Sequence, residues 1–269
     1  MTLVNWWRTS TSPLSFYSFI TLRKKIGFKK VEIFTNGSLI NQKSAEKLQE
    51  FGVDLRISVY SHEDSINDRI TNFNNSLNTL SSSLCAIKSV GLPFMLFSVL
   101  TSFNDDFSEE KTTKRLNVNC RIRTDIARMV GRGRNNCLSD KLISKAQIGP
   151  QKFTKKILSE NILSNLYKHN CFSSKIFISV NGEIYPCVME RGVAYGNLVS
   201  DSSESIILKW KECAKLTKNN IQVCEDCEYR LICFDCRPNR GKANFLSKTW
   251  NCSYNPYVGM FPKATKELI

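Results

Sequence analysis

Apolar residues in the first half of the chain follow two alternating rhythms. Between residues 14 and 27, Leu14, Phe16, Phe19, Ile20, Leu22 and Ile26 fall at helical spacing, and Gly27 ends the run. Val31-Glu32-Ile33-Phe34 is a short strand-like run, closed by the turn signal Thr35-Asn36-Gly37. The same reading predicts a helix over 44–51, a strand over 53–60, a helix over 76–90 and a strand over 93–100. A helix near 106–116 and a strand near 120–128 follow. Strands that alternate with helices of about ten to fifteen residues, joined by short glycine-terminated links, predict βα units on a parallel sheet. Four strands are too few to close an eight-stranded barrel. The expected fold is therefore α/β, an incomplete (β/α) partial barrel.

The rhythm changes after about residue 131. Residues 131–170 read as a connector with one helix around 151–168. From Lys175 the chain alternates through Ile176-Phe177-Ile178-Ser179-Val180, meets Asn181-Gly182, and resumes with Glu183-Ile184-Tyr185. This predicts a β-hairpin with a two-residue turn. Beyond it the chain is loop-rich and dense in cysteine. The expected division is a barrel part over 1–135, a connector over 136–170 and a small cysteine-rich domain over 171–269.

Composition narrows the function classes. Of 269 residues, 42% are hydrophobic, enough for a sizeable core. No apolar stretch reaches the length of a membrane span, so no membrane partner is expected. The opening residues Met1 to Arg8 lack a charged segment followed by an apolar one, which predicts no secretory signal and a cytoplasmic protein. The net charge is +14, from 38 Lys+Arg against 24 Asp+Glu. The basic residues are scattered rather than gathered into an arm interleaved with aromatics. That argues against nucleic acid and for a solvated surface or a groove for an acidic peptide.

In a reducing compartment, the eleven cysteines read as metal ligands rather than disulfides. Four crowd together as Cys224-x2-Cys227-x5-Cys233-x2-Cys236. Cys171 and Cys187 flank the hairpin, and Cys252 lies downstream. Thiolates suit zinc or iron–sulfur clusters. A zinc ribbon places about fifteen to twenty residues between its two Cys-x2-Cys pairs, and five are cramped. Dense runs are typical of [4Fe–4S] sites, where neighbouring cysteines serve different clusters. A zinc-stapled nucleic-acid-binding protein remains the alternative. Cys85, Cys120, Cys137 and Cys213 stand outside the pattern and read as core or incidental thiols.

These cysteines resemble the SPASM domain, the auxiliary-cluster module of radical SAM enzymes that modify peptides. Cys171 is followed after ten residues by Gly182 and after four more by Cys187. Cys224-x2-Cys227-x5-Cys233 and the late Cys252 keep the family spacing. Cys233-x2-Cys236 departs from it by one residue. The resemblance implies two auxiliary [4Fe–4S] clusters. Cys224, Cys227, Cys233 and Cys252 would hold one, and Cys171, Cys187 and Cys236 would give three ligands to the other. His169 or an open iron position would complete the second.

Residues 14–130 resemble the middle of the radical SAM partial barrel. The matching segments are Phe28 to Gly37, Asp54 to Tyr60, Leu96 to Asn104 and Arg121 to Gly133. The resemblance implies cofactor-binding roles for Thr35, Asn36, Ser58 and Asn104 around S-adenosylmethionine. The Cys-x3-Cys-x2-Cys loop and the Gly-Gly-Glu motif of that family are absent from this sequence, and no residue is assigned a catalytic role. The expectation is an N-terminally truncated relative of enzymes that modify ribosomally made peptides (RiPPs), unable alone to cleave S-adenosylmethionine. A catalytically silent partner that binds precursor peptide, or passes electrons for a companion maturation enzyme, is the second reading.

Overall fold

The computed structural model describes residues 2–6, 30–128, 130, 137–149, 159–179, 181–233, 236 and 246–262. The helix expected over 14–27 and the Gly131–Gly133 bend lie outside the described residues. Two compact units divide the chain, Met1–Ala127 and Arg128–Ile269. Among the described residues, no helix is long and apolar enough to cross a membrane.

The first unit is built on a five-stranded parallel sheet, in sequence order. Its strands are β1 (Thr2–Trp6), β2 (Lys30–Thr35), β3 (Asp54–Ser58), β4 (Phe94–Leu100) and β5 (Ile122–Ile126). Helices α1 (Gln42–Glu50), α2 (Asp64–Thr71), α3 (Ser76–Ser89) and α4 (Glu109–Arg115) fill the crossovers. Because each strand pairs with the next and crossovers are right-handed, the helices fall on one face, as in a barrel. β1 is one strand more than the sequence suggested. It pairs with β2 from Thr2↔Lys30 to Trp6↔Phe34, and only that long-range register marks so short a run as a strand. Helix α2 was also not expected: its polar sequence DSINDRIT hides it.

Period-2 alternation sorts the sheet's faces. Val31, Ile33, Leu55, Ile57 and Leu96 point to the helical side. There they pack with Ala45, Leu48, Leu77, Leu84 and Ile87 in one buried core. The intervening residues carry charge: Lys30 bridges Glu32 (3.0 Å) and Asp54 (2.8 Å), and Arg56 pairs with Glu32. Phe34 and Phe97 lean together on the same face, with ring centroids 5.9 Å apart.

The second unit holds helices α5 (Asp140–Ala146), α6 (Ser159–Tyr167) and α7 (Ser203–Ala214). Its antiparallel sheet is β6 (Phe177–Ile178), β7 (Glu183–Tyr185) and β8 (Gly196–Asn197). The hairpin forms as expected, but not with a two-residue turn. Ser179 N–H donates to Glu183 (2.8 Å) and Gly182 N–H to Ser179 (3.0 Å), which encloses three residues. Gly182, at φ +81°, takes the left-handed position that such a loop requires.

Burial pushes the Glu32 carboxyl up, but hydrogen bonds from Lys30 and Arg56 outweigh it and hold the group below its ordinary value of 4.5. A depressed folded-state value contributes stability that is present above the unfolded value and is lost as pH falls through the folded one. Glu32→Gln should therefore lower stability at neutral pH by about 1–2 kcal/mol and flatten the acid limb. Denaturant titrations between about pH 3 and 7 check it.

Candidate functional site: sheet edge and cysteine loops

Parallel strands place their chemistry at their C-terminal ends. Three of the four candidate cofactor residues lie there on β2 and β3 or just past them, and the fourth follows β4. Thr35 is turned to the helical face, where its Oγ1 accepts the Gly37 N–H (3.0 Å). Asn36 is exposed, and its Oδ1 accepts from Ser38 N (3.1 Å) and Oγ (2.9 Å). Ser58 ends β3 on the opposite face from Thr35 and is half-buried. Asn104 is buried. Its Oδ1 accepts from Thr101 N (2.7 Å) and Oγ1 (3.0 Å), and its Nδ2 donates to the carbonyls of Tyr60 (2.9 Å) and Val99 (3.2 Å). That amide is fully used in holding backbone.

A second buried asparagine completes the arrangement. Asn67 Oδ1 accepts the N–H groups of Tyr60 (2.9 Å) and Ser61 (3.3 Å), and its Nδ2 donates to Ser76 Oγ (2.6 Å). The Ser76 hydroxyl and N–H then donate to Asp68, and those bonds hold its carboxyl below the usual range. Tyr60 is thus gripped through its N–H by Asn67 and through its carbonyl by Asn104, which fixes the turn after Ser58. Nothing in the sequence singled out Asn67, because it sits on the helix that was missed.

Cysteines of the dense run in the second unit lie on turns. Cys227 N–H donates to Cys224 (3.2 Å), Arg230 N–H to Cys227 (3.0 Å) and Cys233 N–H to Tyr229 (2.9 Å), so three cysteines ride on consecutive tight turns. Two tyrosine–carboxylate contacts fasten this loop to the segment after Cys252: Tyr254 with Glu228, and Tyr257 with Asp226 at 2.7 Å. Those carboxylates push both phenols up. Tyr254 also packs against Tyr229 (5.2 Å) and Phe261 (4.3 Å). From the other side, Asn251 donates to Ala146 O (2.8 Å) and accepts from Ile148 N (2.8 Å). Cys252 is thereby brought into electrostatic reach of Cys227, whose thiol burial pushes up.

Cys171 and Cys187 form a second neighbourhood. They lie within electrostatic reach of each other, and burial pushes the Cys187 thiol up. Cys171 packs at the edge of a small core of Phe172, Ile184, Tyr195 and Cys213. Gly196 lets β8 approach the start of α7: a Cβ there would stand 2.5 Å from Asp201 and 3.1 Å from Ile206. His169 Nδ1 accepts from the N–H groups of Cys171 and Phe172 (both 3.1 Å), and its ring stacks on Phe172. The same residue shares a small hollow with Cys233. Cys236 is half-buried, with both chain neighbours outside the described residues. Among the described residues, no three or more His, Cys, Asp or Glu gather closely enough to hold a single metal ion. A four-iron cluster makes a different demand, because each thiolate binds its own iron and the sulfurs stand farther apart.

Residues 171–228 match the family model of SPASM, an iron–sulfur cluster-binding domain. That segment lies wholly in the second unit. No curated protein matches the chain. Among solved structures, native anSMEcpe with bound AdoMet and Kp18Cys peptide is 15% identical, with TM-score 0.63 over 93% of this chain and 80% of that one. Native anSMEcpe with bound AdoMet gives 0.64 over 93% and 78%, also at 15% identity. SuiB of Streptococcus suis bound to S-adenosylmethionine gives 0.59 over 92% and 64%, again at 15%. The chain therefore shares the fold of these solved structures, and its segment 171–228 matches the SPASM model.

Two variants test the supports. Asn104→Ala leaves buried backbone groups unpaired and should destabilise the first unit by about 2–3 kcal/mol, read by denaturant unfolding. Tyr254→Phe removes the bond to Glu228 and should raise the native-state alkylation rate of Cys252 several-fold, read by mass spectrometry.

Proposed function

We propose that this chain is an iron–sulfur protein of the radical SAM/SPASM peptide-modifying lineage that does not cleave S-adenosylmethionine by itself. The observation that carries the reading is the SPASM match over the segment bearing Cys171, Cys187, Cys224 and Cys227. The donor chemistry fits: soft cysteine sulfurs are carried on loops, with Cys252 in electrostatic reach of Cys227 and Cys171 of Cys187. Cys224, Cys227, Cys233 and Cys252 would hold one auxiliary [4Fe–4S] cluster, and Cys171, Cys187 and Cys236 would contribute to the other. When bound, such clusters supply one-electron transfer.

At the sheet edge, Asn36 and Ser58 are the candidates to touch a bound nucleoside cofactor. Thr35 and Asn104 keep the edge backbone in place for them. The SPASM-containing unit would receive a precursor peptide, as anSMEcpe structures hold Kp18Cys and Cp18Cys peptides. The surplus of basic residues, +14 overall, favours an acidic peptide or an acidic electron donor. A companion enzyme would supply the chemistry that needs the Cys-x3-Cys-x2-Cys loop, which this sequence lacks.

Anaerobic reconstitution tests the reading. The protein should turn brown and bind iron and acid-labile sulfide in near-equal amounts, with no S-adenosylmethionine cleavage under reducing conditions. Stoichiometric zinc without sulfide, or turnover by the isolated chain, would refute it.

A further inference from the structure

The cluster assigned to Cys171, Cys187 and Cys236 lacks a fourth protein ligand in the SPASM spacing. The fold brings another thiol to the small core against which Cys171 packs. Cys213 lies on the last turn of α7 and is buried. Ile206, Trp210 and Cys213 recur at helical spacing, so one face of α7 is laid on the small core of Phe172, Ile184 and Tyr195. Two hydrogen bonds straddle Cys213 and fix that face against the Cys171 turn. The Trp210 indole donates to Phe172 O at 2.9 Å. The His169 N–H donates to Ala214 O at 2.7 Å. The hairpin that leads to Cys187 is tied in through Tyr195 N–H, which donates to Ile184 O at 2.7 Å.

Tyr195 adds an independent sign. Its side chain is fully buried, and its hydroxyl finds no hydrogen-bond partner among the described residues. Tyr195 and Cys213 pack in the same small core, and Cys187 is within electrostatic reach of both. A buried O–H left without an acceptor is costly, and a thiolate or cluster sulfide in this core would be a far better acceptor than a neutral thiol. His169, the other candidate, already uses Nδ1 to cap the Cys171 turn.

We infer that Cys213 is the fourth thiolate ligand of the cluster held by Cys171, Cys187 and Cys236, with the Tyr195 hydroxyl donating to its sulfur. The inference rests on the iron–sulfur reading above. It makes this cluster coordinatively closed, with no iron left for substrate, and so suited to electron transfer alone.

The test uses the anaerobically reconstituted full chain, its Cys213→Ala and Tyr195→Phe variants, iron and sulfide analysis, and electron paramagnetic resonance of the reduced protein with and without cyanide. The wild-type spectrum should ignore cyanide. Cys213→Ala should either keep its iron and gain a cyanide-dependent shift, or lose about half its iron, as expected for one of two clusters. Tyr195→Phe, which disturbs the same packing but spares the thiol, should keep its iron. A cyanide shift in the wild type overturns the inference without any variant. So does full iron in Cys213→Ala with no cyanide response, or equal iron loss in both variants, which marks a packing role. A wild-type chain that takes up no iron and sulfide overturns the cluster reading itself.

Discussion

The hydrogen bond from the Trp210 indole to the Phe172 carbonyl carries much of the second unit's geometry. This unit has a small apolar core around Phe172, Ile184, Tyr195 and Cys213. A core of that size cannot by itself hold loop-borne ligands in place. Long-range side chain-to-backbone bonds do part of the holding: Trp210 to Phe172, Asn165 to Leu231 and Asn251 to Ala146. Each ties a helix to a cysteine-bearing loop. The expected ligands Cys171, Cys227, Cys233 and Cys252 thus sit on segments whose backbone is positioned before any metal arrives, although thiols that burial raises must lose protons to bind one.

The first unit solves the opposite problem. Its helical face is apolar and continuous, so the sheet is held by ordinary burial. The open face and the strand ends are then free to carry polar groups. Glu32, Arg56, Lys30 and Asp54 form a charged cluster on that face. Asn67 and Asn104 grip Tyr60 from its two sides, because a turn leaving a parallel strand has backbone groups that no ladder satisfies. The result is a turn after Ser58 whose backbone is paired on both sides.

The two units differ in how far the sequence reveals them. In the first, each alternation of Val, Ile and Leu reports directly on the buried face, so β2 to β5 and α1, α3 and α4 were legible with their ends nearly right. The polar helix α2 and the short strand β1 were not, because the first lacks an apolar stripe and the second exists only through its register with β2. In the second unit the cysteine spacing and the glycine before Cys187 pointed to the SPASM pattern. The pairing of Tyr254 with Glu228 and of Tyr257 with Asp226 could not be read, since nothing local links residues about thirty apart.

Sequence alone therefore determined the parallel α/β class, the hairpin, and the identity and spacing of the candidate thiolates. These are properties of short segments, set by period and by the chemistry of single residue types. Tertiary structure decided which segments meet. It closed the hairpin with three residues rather than two, committed the Asn104 amide to the backbone, and carried Cys213 from outside the motif into the small core with Tyr195, against which Cys171 packs. The physical reason is that a ligand set is defined by distance in space. Loops separated by tens of residues acquire that distance only when helices and hydrogen bonds pack them together.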